Sequence, residues 1–383
     1  MRIAHASLFI DYFGSHADIC EAEARASVET PDLDWHVHVM SPHKLHAREH
    51  VQWHHLSVPF SNILTNYRES NALGFYASRA ITLNYLPCRF AFNRLINKLT
   101  AEYDCVLVRY NPADLAAWTA LKSPEKVIPI HHNFPVEELA LRSSLGAWAE
   151  RVTGPRQMRS APAVCGVTPE IAAHEINRCK LQCPPLVLPN GLFVDQEKGL
   201  VDDRTDTIRI LLAASEFAAW HGLDRILARA LEYSGAESFE LHLAGPIPAA
   251  LQAELSDHAF IHWHGLLDRE KLNDLSARCD IGLGSFGMDR VGLSEGSKLK
   301  ILGYLAQGLP VATGCREPAF PGDFPQLLVL SEQWRWEEII DFCQESKAWR
   351  REEVRNAAWP YIDYRRILPQ AAERMRAVLP PGA

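Results

Sequence analysis

Short apolar runs alternate with longer stretches of helical period from one end of the chain to the other. In the first half, strands are expected at 2–9, 35–40, 51–56, 105–109, 127–131 and 164–167, with helical stretches such as 22–27 and 114–121 between them. The second half restarts the cycle, with strands at 208–213, 240–244, 261–264, 281–284 and 311–313. Helical patterns at 223–233, 269–278 and 297–307 separate these. Strand and helix in strict alternation predict an α/β protein with parallel sheets.

Between the two cycles lies Pro189-Asn190-Gly191, followed by a polar, charge-rich stretch at 195–207 that offers little to a core. The expected organisation is therefore a first domain at 1–195, a second at 196–358 and a terminal helix at 359–383. In that tail Ile362, Ile367, Ala371 and Met375 recur at helical spacing. An amphipathic helix has to bury its apolar face, and the first domain is the expected surface.

Composition narrows the class. A chain of 383 residues suits two domains of ordinary size. No apolar stretch reaches the roughly 18 to 20 residues of a membrane helix. The opening run is broken by Asp11 and reads as a first strand rather than a signal peptide, so a cytoplasmic location is expected. Nine cysteines, an odd number scattered through apolar runs, argue against a disulfide framework. Cys179 and Cys183 have no second ligand pair nearby, so no metal site is expected there. A net charge of -8 without a Lys/Arg run excludes bulk attraction to nucleic acid. The same acidity, with no polybasic amphipathic helix legible, leaves at most peripheral membrane contact.

The chemistry concentrates in Gly292-Leu293-Ser294-Glu295-Gly296-Ser297-Lys298-Leu299-Lys300, which leads into a helix and leaves it through Gly308-Leu309-Pro310-Val311. Small residues let a backbone approach a ligand, a helix start offers free N–H groups, and two lysines add positive charge. That combination suits a phosphate. Elsewhere, Phe13-Gly14-Ser15-His16 does not supply the G-x-G-x-x-G of a dinucleotide fold.

From Glu295 to Val311 the chain resembles the retaining glycosyltransferases of the GT-B fold, the group 1 family, whose second domain carries a Glu-containing loop and a helix ending in A-x-G-x-P-V. Further stretches agree in order: Val167-Thr168-Pro169-Glu170, Leu188-Pro189-Asn190-Gly191, Trp220-His221-Gly222-Leu223-Asp224, Leu243-Ala244-Gly245-Pro246, His264-Gly265-Leu266-Leu267 and Cys279-Asp280-Ile281-Gly282-Leu283. The resemblance implies two Rossmann-like domains facing each other across a cleft. It also implies a retaining, nucleotide-sugar-dependent transfer of the kind used in polysaccharide biosynthesis.

The resemblance assigns roles residue by residue. Glu295 would contact the donor sugar. Lys300, which follows Leu299 as the family's lysine does, is preferred to Lys298 as the diphosphate cation, with Gly296, Ser297, Lys298 and Leu299 around it. His221 stands where relatives carry a lysine and would donate a hydrogen bond to phosphate, more strongly when protonated. The position of the family's second glutamate is Gly303, so ribose recognition differs. In the first domain, His132 ends the 127–131 strand and is expected at the reacting centre, with neighbouring His131 in the core. Gly14 and Ser15 would form the first βα loop beside the donor, and Glu137 and Glu138 are available for acceptor hydroxyls. The implied co-substrate is a UDP- or GDP-linked sugar, the implied acceptor a glycan or lipid-linked saccharide. No Asp-x-Asp pair is expected to grip a metal against the diphosphate, so with lysines carrying the neutralising charge no metal or resident cofactor is expected. A silent GT-B sugar- or partner-binding module and a sugar-nucleotide epimerase are the competing readings.

Overall fold

The structure is a computed structural model and describes residues 1–10, 14–42, 49–57, 74–114, 121–141, 143–247 and 249–379. The chain divides into two compact units, one formed by residues 1–193 with 364–383 and the other by 194–363.

The first unit is built on seven parallel strands: β1 (Arg2–Leu8), β2 (Asp34–Ser41), β3 (Gln52–His55), β4 (Cys105–Arg109), β5 (Val127–His131), β6 (Val164–Gly166) and β7 (Pro185–Val187). Their order is β3-β2-β1-β4-β5-β6-β7. Around them lie α1 (Gly14–Glu29), α2 (Gly74–Glu102), α3 (Pro135–Ala140), α4 (Ser144–Met158) and α5 (Pro169–Cys179). The central strands carry apolar residues on both faces because helices cover both. Ile3, Cys105, Val106, Leu107 and Ile128 are fully buried. Thr168 starts α5 by accepting the Ile171 amide at 3.2 Å, which fits its place ahead of Pro169.

The second unit repeats the plan with six parallel strands: β8 (Ile208–Ala213), β9 (Phe239–Ala244), β10 (Ile261–Trp263), β11 (Ile281–Leu283), β12 (Val311–Thr313) and β13 (Leu327–Val329), ordered β10-β9-β8-β11-β12-β13. Its helices are α6 (Leu223–Glu232), α7 (Ala249–Leu255), α8 (Arg269–Arg278), α9 (Leu299–Ala306), α10 (Trp336–Ser346) and α11 (Arg351–Ile362). Helix α6 shows how the pattern works: Leu223, Ile226, Leu227 and Ala230 share one face and are buried, while Glu232 on the other is exposed.

Several expectations need correction. The 22–27 stretch is the middle of α1, and Gly14 and Ser15 are not a loop but the first two residues of that helix. The 114–121 stretch falls mostly outside the described residues. The tail is two helices, since α11 ends at Ile362 and α12 (Tyr364–Val378) begins after Asp363. Asp363 is extended, with φ -88° and ψ 127°, and its carboxylate accepts the Val194 amide at 3.0 Å within the second unit. Next to it, within the first unit, the Tyr364 amide donates to the Leu192 carbonyl at 2.9 Å. The chain thus changes unit at 193/194 and 363/364, two residues before and five residues after the expected limits of the second domain. Helix α12 buries Ile367, Leu368, Ala371 and Met375, and Arg365 reaches Glu29 of α1 at 3.2 Å.

Each sheet reverses its direction of strand addition once, between β1 and β4 and between β8 and β11. In parallel α/β sheets, the crevice outside the carboxyl ends of the strands flanking such a reversal is where ligands bind.

Candidate functional site

In the second unit the reversal point is lined by the segment after β8, 214–222, and the segment after β11, 284–298. The two are laced together: the Phe286 amide donates to the His221 carbonyl and the Gly287 amide to the Trp220 carbonyl, both at 3.1 Å. Arg225 pairs with Asp289 and Arg290 with Asp224, so both arginines are committed to holding the segments. Gly222, at φ +69°, sits where a Cβ would meet the Phe286 backbone at 2.7 Å; only glycine permits this approach.

Helix α9 follows. It starts at Leu299, two residues later than its apolar pattern suggests, because Lys298 is extended, with φ -96° and ψ 120°. Ser297 and Lys298 therefore belong to the loop. The Lys298 amide is held by the Glu317 carboxylate at 3.2 Å. Glu317 is buried, and that burial pushes its carboxyl up to about 8. The loop is pinned from the other side by Arg316, whose carbonyl accepts the Gly296 amide at 2.8 Å and whose amide donates to Ser294 at 3.0 Å. The Arg316 guanidinium pairs with the buried Glu295 carboxylate.

Lys300 lies in the first turn of α9. Its Nζ is buried and meets no acceptor among the described residues, and burial, with Lys298 nearby, pulls its ammonium down to about 7. A buried cation with no counter-charge is costly unless something anionic arrives. Beside it, burial and the two lysines lower the His221 imidazole to about 3. His221 Nδ1 accepts the Ala218 amide at 3.0 Å, which fixes the proton on Nε2. His221 thus offers a neutral N–H from Nε2. Gly303, one turn beyond Lys300, leaves open space, since a Cβ there meets nothing within 4 Å.

In the first unit the carboxyl ends of β1, β4 and β5 carry a second polar cluster. Arg109, the last residue of β4, donates to His132 Nε2 at 2.8 Å and to His16 Nε2 at 3.0 Å. A guanidinium only donates, so each ring accepts through Nε2 and carries its proton on Nδ1. Burial beside Arg109 holds the His132 imidazole well below its ordinary value and His16 at about 3. His5, Ser7 and Glu23 line the same small cavity, of about 10 Å³. Glu23 accepts from His5 at 2.8 Å and from Trp35 at 2.7 Å. His131, one residue before His132, is buried against Met158 and stacks on Tyr110 at 4.1 Å. Glu138 accepts from Asn133, and Glu137 lies 3.7 Å from His174.

No family model matches the sequence, and no curated protein sequence matches it. Solved structures do. A glycosyltransferase from Rickettsia africae ESF-5 superposes with a TM-score of 0.62 at 13% identity, over 100% of this chain and 100% of that one. The apo form of the lipopolysaccharide outer core galactosyltransferase WaaB gives 0.61 at 11% identity, over 98% of this chain and 99% of that one. HepE from Anabaena, solved with UDP and glucose, gives 0.59 at 12% identity, over 98% and 99%. The fold is that of the GT-B glycosyltransferases.

On this GT-B frame the second unit brings together His221, Glu295, Gly296, Ser297, Lys298, Leu299 and Lys300 at one reversal point, while His132 belongs to the first unit's cluster. Gly14 and Ser15 open α1, beyond the carboxyl end of β1. Sequence reasoning missed Arg109, Arg316 and Glu317. Arg109 was legible as a charged residue closing the apolar run Cys105-Val106-Leu107-Val108. Arg316 and Glu317 follow β12 and enter the site only through long-range pairing, which leaves no local pattern. Against the expectation that the chain has no Asp-x-Asp pair, Asp32-Leu33-Asp34 is one; it lies at the amino end of β2, away from the carboxyl ends, and Asp34 faces Arg2 at 3.5 Å. Among the described residues, no three His, Cys, Asp or Glu side chains are grouped to hold a metal ion, and all nine cysteines are free.

Proposed function

We propose that the chain is a retaining, metal-independent glycosyltransferase that moves a sugar from a UDP- or GDP-linked donor to a hydroxyl of a glycan or lipid-linked saccharide. The observation that carries this reading is the buried, unpartnered Lys300 ammonium at the reversal point of the second sheet. With Lys298, the neutral Nε2–H of His221 and the first amides of α9, it forms a receptor for a diphosphate. On this reading these groups would lie where negative charge grows as the glycosidic bond to phosphate breaks, and such preorganised donors are a large term in catalysis. Glu295, steadied by Arg316, would hold the donor sugar. The leaving phosphate would take the acceptor proton, so no committed protein nucleophile is required.

In the first unit His132 would act through its Nδ1–H as a neutral hydrogen-bond donor, because Arg109 occupies its other nitrogen. A general-base role for His132 does not fit that tautomer.

Thermal melts of the purified chain with a panel of UDP-, GDP- and ADP-sugars test the donor site. A bound donor at 100 times its Kd adds about 2.7 kcal/mol, a shift of about 5 °C or more. The matching nucleotide sugar is expected to produce it in the wild type and not in Lys300→Ala. Equal shifts in both proteins would remove Lys300 from the donor site.

A further inference from the structure

Arg109 closes β4 inside a polar cluster, yet among the described residues none of its hydrogen bonds goes to a carboxylate. Nη1 donates to His132 Nε2 at 2.8 Å and Nη2 to His16 Nε2 at 3.0 Å. Glu23, the acid that lines the same cavity, is turned to His5 and Trp35 instead. Phe9 braces the arrangement, with His16 stacked on its ring at 5.9 Å and the guanidinium over it at 5.9 Å.

The residue type matters here. A guanidinium is planar and presents its donors as a fixed fork, so two rings bound to its two ends are fixed relative to each other and to β4. A lysine at this place would be a compact point charge without that fork. The charge acts as well, because a cation lacking a counter-ion repels a second positive charge on either ring. Burial first, and Arg109 after it, hold both imidazoles below their ordinary value. The other titratable groups around the cluster are His5, Cys20, Glu23, His131, Glu138 and Tyr364. Of their two acids, Glu23 is committed to His5 and Trp35, and Glu138 accepts from Asn133.

We infer that Arg109 is a positioning residue for the first unit's reacting centre. It holds His16 and His132 together as neutral rings with their protons on Nδ1, so that His16 joins His132 as a hydrogen-bond donor to a bound saccharide. The inference rests on the reading of His132 given above.

Long-range proton–nitrogen NMR of the full chain with 15N-labelled histidine tests the positioning, the two rings being assigned through His16→Gln and His132→Gln. In the wild type both rings are expected as the Nδ1–H tautomer, without titration between about pH 5 and 8. In Arg109→Met both protons should move largely to Nε2 and titration should appear near the ordinary value of about 6.5. Arg109→Lys should release at least one ring in the same way. Turnover of a nucleotide sugar that raises the wild-type melting temperature gives the second readout. Arg109→Met should lose about tenfold or more at pH 8 and recover as pH falls through about 6.5, since an imidazolium carries a proton on Nδ1 again. The ratio of variant to wild-type turnover should therefore climb towards acid, which a merely structural arginine would not cause. An Nε2–H tautomer of either ring in the wild type, or unchanged tautomers in Arg109→Met, would overturn the inference. So would a loss of turnover that is equal at pH 6 and pH 8. If Arg109→Met does not fold, the wild-type tautomers and Arg109→Lys decide. Normal turnover in His132→Gln would instead remove His132 itself from the reaction, and Arg109 with it.

Discussion

At the scale of single residues the decisive feature is a mismatch between charge and surroundings. Lys300 is placed where its ammonium has no partner among the described residues, and burial draws it down to about 7. Replacement by methionine should therefore stabilise the unliganded protein, by about 1 kcal/mol or more at pH 6, while destroying nucleotide binding. Gain of stability with loss of binding distinguishes a ligand-directed lysine from a structural one, whose removal costs stability. The pH dependence follows from the same shift. A diphosphate raises the Lys300 pKa on binding, so its contribution is fully present below about pH 7 and fades as pH rises through the higher, bound value. Calorimetry with UDP should show proton uptake above pH 7 in the wild type and its absence in Lys300→Met. Identical proton uptake in the two proteins would contradict this. The lysine's identity was legible in the sequence from its place after Leu299, but its isolation was not. Isolation depends on what packs around the helix start from β12 and the 214–222 segment. His221 was legible as a site residue too, yet its protonation state was not, because the Ala218 amide that occupies Nδ1 is set by the local turn.

At the scale of elements, helix α9 explains why the A-x-G-x-P-V ending is needed. Gly308 adopts φ +70° and donates to the Leu305 carbonyl at 3.0 Å, while Leu309 donates to Tyr304 at 2.9 Å, the paired bonds of a Schellman ending. Pro310 then stops the helix and Val311 enters β12. A Cβ on Gly308 would lie 2.4 Å from the Arg351 carbonyl, and the left-handed conformation is itself unfavourable for alanine. Gly308→Ala should cost about 2 kcal/mol or more, read from denaturant unfolding, and a cost near zero would refute the account of the ending. The helix is also moored by Tyr304, whose hydroxyl accepts the Ala213 amide at 2.7 Å and whose ring packs where Gly282 lacks a side chain. Longer strands such as β1, β8 and β9 were legible because each concentrates apolar residues in a run of six or seven. The edge strands β7 and β13 were not, β7 because Pro184, Pro185 and Pro189 break up its apolar run. Neither was α2, which contains Pro87. The tail read as one helix since its apolar spacing continues across Asp363; only the carboxylate's bond to Val194 reveals the break.

At the scale of the whole molecule, two parallel sheets of related plan each reverse strand order once, and each reversal point carries a polar cluster with basic and histidine side chains. The restart of the strand-helix cycle after the 195–207 stretch made the two-unit plan readable without any structure. The residues proposed for the donor side stand out in the sequence because loop, helix and strand follow one another along it. The Arg109, His16 and His132 cluster was not, since it joins residues 93 and 23 positions apart. The central claim is that the second unit's lysine-lined loop receives a nucleotide sugar and that the chain transfers the sugar without a metal. The measurement that tests it most directly is release of free nucleotide from UDP- and GDP-sugars in excess EDTA, with candidate saccharide acceptors present. The account predicts acceptor-dependent release by the wild type, undiminished by the chelator. It predicts a loss of about 100-fold or more in Lys300→Ala, the scale of removing one preorganised donor to a developing anion, and a strong loss in Glu295→Gln. Release abolished by EDTA and restored by Mg²⁺, or near-normal turnover in Lys300→Ala, would contradict it.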